Sequence, residues 1–178
     1  MLDAQIQTII QATLIAGLAA RGVTAGVLQN NQARQFQAPS SPTVFHTLGP
    51  RKPYGWAAYK DDIADDGTAT TTTTQVMHTR FQIAGFVPFD SPANANGMTS
   101  GDLSNIARNI MQHESAIAAF VANDCNVFRV SDNPAVPFQD SSDQTVWWAS
   151  FDIIFTHKDV FTTSTGVLSD FNPNIYRV

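Results

Sequence analysis

Residues 75–90, QVMHTRFQIAGFVPFD, alternate with a period of two. Met77, Phe81, Ile83 and Val87 fall on one side of an extended chain; Val76, His78, Arg80, Gln82 and Ala84 fall on the other. The pattern predicts a strand with one face in a core and the other open. What the open face serves, with its His and Arg, is the question the sequence poses: a catalytic cleft, or another protein.

A second long alternation lies near the C-terminus. In TVWWASFDIIFTHKDV, Trp147, Ala149, Phe151, Ile153 and Phe155 form one face, and Trp148, Ser150, Asp152, Ile154 and Thr156 the other. Shorter strands are expected at 43–49 (TVFHTLG) and in CNVFRV, with RKPYGWAAYKDD as a further strand or hairpin. Two segments have helical spacing instead. Leu2, Ile6, Ile9, Ile10, Leu14 and Leu18 make one apolar stripe, with Gly22 as its C-terminal stop. Leu103, Ile106, Ile110 and Met111 make another, started by Thr99 and Asp102 as a capping box. That stripe breaks near Glu114 and Ser115 and resumes through Ile117, Phe120 and Val121. Residues 28–42, 58–75 and 131–144 read as loops, the second as a mobile hairpin tip with four aspartates before a threonine run.

The expected fold is α+β: an antiparallel or mixed sheet with an N-terminal helix and an interrupted second helix packed on one face. At 178 residues the chain suits one domain, residues 1–160, with 161–178 as a C-terminal extension. A single Cys, Cys125, excludes an intrachain disulfide and is expected as a small buried residue. The apolar run at 12–20 is too short to span a bilayer, and its basic residue, Arg21, follows it. A soluble, cytoplasmic protein with no membrane partner is expected. Charged residues are only 14%, which suits a surface covered by partners. The net charge of -5 argues against a free-standing nucleic-acid binder, though not against a channel through which DNA slides.

Signs of catalysis are missing. The four histidines, His46, His78, His113 and His157, lack metal-ligand spacing and a partner Cys. There is no nucleophile elbow, P-loop or dinucleotide fingerprint. The aspartates at 61–66 do not match the ligand spacing of a calcium loop. His78 and Asp152 share the polar face and would make a cross-strand polar pair before they made a metal site. Alternation sends Trp148 outward, either beneath a loop or as an interface anchor. No enzyme activity and no metal or organic cofactor is expected, and the candidate interface is His78, Arg80, Gln82, Trp148 and Asp152.

The helix at the N-terminus, VMHTRFQIAGFV, SGDLSNIARNIMQHESAIAAFVAND, CNVFRV and WWASFDIIFTHKD, taken in order, resemble phage neck or tail terminator proteins. These are the lambda-type tail terminators and their relatives in contractile tails. The resemblance covers residues 2–160 and rests on element order and hydrophobic pattern. It implies a virion structural protein, assembled in the host cytoplasm and located at the neck. Its copies would form a homohexameric ring that terminates the tail tube and joins tail to head. The implied partners are the protein itself, the tail-tube protein, the head–tail connector or stopper, and the sheath where there is one. DNA would pass through the lumen without sequence-specific binding. The alternatives are another connector, completion or tail-tube ring protein, or, more distantly, a small ligand-binding domain or enzyme.

Overall fold

A computed structural model describes residues 3–29, 39–65, 68–139 and 145–165. The elements in chain order are α1 (Asp3–Ala20), β1 (Gly26–Gln29), β2 (Thr43–Ile63), β3 (Ala69–Phe86), α2 (Pro92–Ala95), α3 (Ser100–Met111), α4 (Glu114–Val121), β4 (Cys125–Gln139) and β5 (Thr145–Thr165). The strands form one sheet in the order β1-β2-β3-β5-β4. β1 runs parallel to β2, and all other neighbours are antiparallel. The sheet is mixed and the fold is α+β.

Helices cover one face. Ile6, Ile10, Leu14 and Leu18 of α1 meet Leu103, Ala107, Ile110 and Met111 of α3, Phe120 of α4, and the inward side chains of the sheet in one core. Phe81 and Ile83 of β3 and Phe151, Ile153 and Phe155 of β5 supply that sheet side. Phe81 meets Phe155 edge-on at 5.7 Å, and Phe155 meets Phe120 at 4.7 Å. Phe81, Ile83, Val87, Phe151, Ile153 and Phe155 are therefore inward as the alternation predicts, while Met77 is only half-buried and the Trp147 side chain lies outside the described residues.

Local chemistry sets the helix ends. Gly22 has φ +66°, a left-handed conformation that glycine enters without a Cβ penalty, and it lies just past α1. The Thr99 hydroxyl accepts from the Asp102 amide while the Asp102 carboxylate accepts from Thr99, completing the capping box. α3 and α4 are separate helices, and the His113 side chain caps the second. In α4 the buried residues are Ala116 and Phe120, while Ile117 and Val121 are largely exposed, against expectation. At Gly85 the first turn of α3 sits so close to β3 that a Cβ would lie 2.6 Å from the Ser104 amide nitrogen and 2.7 Å from the Ser100 carbonyl.

The strands are longer than expected. β2 is one strand of 21 residues, with irregular register at Leu48/Arg51 and Tyr54/Ala58, in place of a short strand followed by a further strand or hairpin. Residues 58–75 form ladder for most of their length: Ala58–Ile63 pair with Ala69–Thr74. Five consecutive threonines, β-branched and suited to a pleated strand, hold the centre of that ladder. β4 continues through residues expected as loop as far as Gln139, and β5 runs to Thr165, past the expected boundary at residue 160. The distal parts of β2, β3 and β5 make a three-stranded arm. Arg51 stands at its base, 2.9 Å from the Asp159 carboxylate and 3.9 Å from that of Asp3 on α1. The rest of the loop expected at 28–42, beyond β1 and before residue 39, lies outside the described residues, as does the extension beyond Thr165.

Candidate interface on the open face of the sheet

Side chains at even positions of β3 point away from the helices. His78, Arg80 and Gln82 stand in a row there, opposite Thr156, Ile154 and Asp152 of β5. Four of the five candidate residues therefore share one face. The fifth, Trp148, pairs through its backbone with Val136; its side chain lies outside the described residues.

Two groupings divide the row. Arg80 donates through Nη2 to Oδ2 of Asp152, a diagonal contact across the ladder. The Asp152 side chain is only 6% exposed, against 44% for Arg80. Its other oxygen, Oδ1, is buried with no hydrogen-bond partner among the described residues. Gln82 donates to the Ser150 hydroxyl at 3.4 Å. Asp152 thus pairs with Arg80 and not with His78, the partner the sequence suggested. His78 instead stacks on Tyr54, with ring centroids 4.4 Å apart and planes 13° off parallel, and has Phe128 at 4.4 Å on a tilted plane. Tyr54 and Phe128 are both more than half exposed. Phe128 reaches this face because β4 is irregular between Val127 and Arg129, adding a residue that the ladder does not pair. A period-two reading of the sequence carries no sign of such a bulge. Towards the other end, Thr43, Phe45, Ala84 and Phe86 are buried on this same face.

On the helix side lie two histidines whose burial the sequence did not reveal. The Thr79 hydroxyl and His157 Nε2 are hydrogen-bonded at 2.9 Å, both residues being buried. Burial lowers the His157 pKa, and the Arg51 guanidinium lowers it further. His46 is buried with no partner for either ring nitrogen among the described residues, and desolvation lowers its pKa. Burial raises the Cys125 thiol to about 12. Among the described residues no three His, Cys, Asp or Glu side chains come together as metal ligands would. No helix among the described residues is long and apolar enough to cross a membrane.

The molecule is thus a small sheet covered by helices on one face, with an exposed arm and an ion pair beside an aromatic cluster on the other face. The profile of a family described as "E217 gateway protein gp29" matches residues 5–167. That span takes in all the strands and every candidate interface residue, so the chain belongs to this phage gateway-protein family and stands among the neck and connector proteins of the virion. The match names gateway proteins and does not extend to the lambda-type tail terminators. No curated protein matches the chain.

Proposed function

We propose that the protein is a purely structural subunit of the phage neck. Six copies close into a ring that caps the last ring of the tail tube and receives the head's connector, with DNA passing through the centre. The observation that carries this reading is the gateway-family match over residues 5–167. One feature of the chain and one symmetry rule support it. The open face presents the exposed Tyr54–His78–Phe128 cluster beside the Arg80–Asp152 pair, a mixture of aromatic and charged groups suited to protein contact. A head-to-tail interface must also close or polymerise, and a junction requires closure. Contacts with the tail-tube protein, the connector and any sheath belong to this proposal, as do the absence of catalysis and of any cofactor.

Phage lacking the protein test it. Filled heads and separate tails are expected in the lysate, with the tails no longer of uniform length. Joined, infectious particles would contradict the proposal. Tails of normal length that fail to join heads would remove the terminating role.

A further inference from the structure

Among the described residues the arm has two unpaired edges. β1 pairs with β2 only over Thr43–His46, and β4 pairs with β5 only as far as His157. Ala58–Ile63 of β2 and Val160–Thr165 of β5 flank the same stretch of β3, Ala69–Thr74, row by row, and each spans six residues. On their outer sides neither has a strand partner among the described residues. Open edges are normally guarded by proline, bulges, charged side chains or brevity, because their free N–H and C=O groups recruit other strands. β2 carries such guards near its middle, Pro50, Pro53 and an irregular register up to Ala58. Its distal edge carries no proline and no irregularity, its remaining guards being the charges of Lys60, Asp61 and Asp62, and that of β5 carries no proline, no irregularity and no charge. Large apolar side chains mark the same two strands. Tyr59 and Phe161 occupy one row and one face, either side of Thr73, and are 71% and 70% exposed; Ile63, further along that face of β2, is 78% exposed.

We propose that these edges join copies of the chain: Val160–Thr165 of one subunit pairs with Ala58–Ile63 of the next. β2 and β5 both run antiparallel to β3, so they run in the same direction. Rotation about an axis along the arm then sets β5 against the next β2 in parallel, the pairing that the same edge of β2 already makes with β1. The contact is head-to-tail, each copy offers both halves of it, and the arms close into a continuous band of strands. Phe161 of one copy then comes beside Tyr59 of the next, which accounts for two aromatic rings left in solvent by the lone subunit.

This inference rests on the ring proposed above, and disulfide trapping in assembled particles separates the two. Within a subunit, positions 61 and 163 sit two strand spacings apart, roughly 9.5 Å. That exceeds the Cα separation of about 4.4–6.8 Å that a disulfide allows, so any bridge joins different copies. Three double variants sample the parallel register: Thr163→Cys combined with Tyr59→Cys, Asp61→Cys or Ile63→Cys. Cys125 is buried and its thiol is held protonated, so it stays out of the reaction. Mild oxidation is expected to give a covalent ladder up to the full ring in at least one double variant, and no bridge in any single variant. Dimers from a single variant would show like edges pairing and overturn the inference. So would intact rings on electron micrographs with no bridge in any double variant, an outcome that leaves the ring itself standing. Particles without rings would overturn the ring reading and this inference with it.

Discussion

Asp152 carries its charge on the open face of the sheet yet is almost fully covered, so it depends on the Arg80 guanidinium. From the alternation alone Arg80 reads as a candidate interface residue on the open face whose loss the isolated fold would hardly notice. The pairing changes that expectation. Breaking a buried ion pair costs about 3–5 kcal/mol, and the partial exposure of Arg80 reduces the cost to about 1–3 kcal/mol through solvent screening. Arg80→Asp adds a second carboxylate and is expected to lower the unfolding temperature clearly, whereas Arg80→Ala combined with Asp152→Ala recovers much of the loss. Thermal unfolding of the three variants decides, and an unchanged midpoint for Arg80→Asp would refute the coupling. The buried histidines make a second residue-scale prediction. His46 and His157 both have pKa values lowered by the fold. The unfolded chain therefore takes up protons near an ordinary imidazole pKa of about 6.5, while the folded protein resists until lower pH. Stability contributed by the neutral rings is present above that value and is lost as pH falls through it towards the folded pKa values. The melting temperature should drop between pH 7.5 and pH 5, and His46→Leu should flatten the slope. A midpoint that rises on acidification would contradict this.

At the scale of the element, α3 lies hard against β3 because Gly85 has no side chain. Gly85→Ala would press a methyl group into the backbone of Ser100–Ser104, which cannot rotate aside. Overpacking of this kind costs about 1–3 kcal/mol, and denaturant unfolding should show a loss at or above the top of that range. A variant as stable as the parent would mean that the helix can ride outward freely. Both α3 and the strand beneath it were legible in the sequence, because a capping box and a regular period are local signals. Phe81, Ile83, Phe151, Ile153 and Phe155 fell on the core side as the alternation required. The arm was not legible. Its threonines and aspartates lack an apolar period, and both outer strands lie open to solvent, so a pattern built on half-burial had nothing to register. The aromatic cluster failed to appear for another reason: Tyr54, His78 and Phe128 come from three strands and meet through irregularities of register. Trp148 is legible only as an outward-pointing position, and its side chain lies outside the described residues.

The whole molecule is a compact helix-backed sheet from which an exposed arm projects, and its family belongs to the phage neck. A lone subunit leaves Trp56, Tyr59, Ile63, Val160 and Phe161 in water on that arm, an arrangement that makes sense when other chains cover them. Among the described residues no three His, Cys, Asp or Glu side chains gather as metal ligands would, and the buried Cys125 lies across the ladder from the buried His157. A reconstruction of the virion neck at a resolution that separates subunits tests the proposed ring most directly. The account predicts a closed ring of six copies around the DNA channel at the head–tail junction, with the arms in contact between neighbours. A single copy at the neck, an open arc, or a position elsewhere in the particle would contradict it.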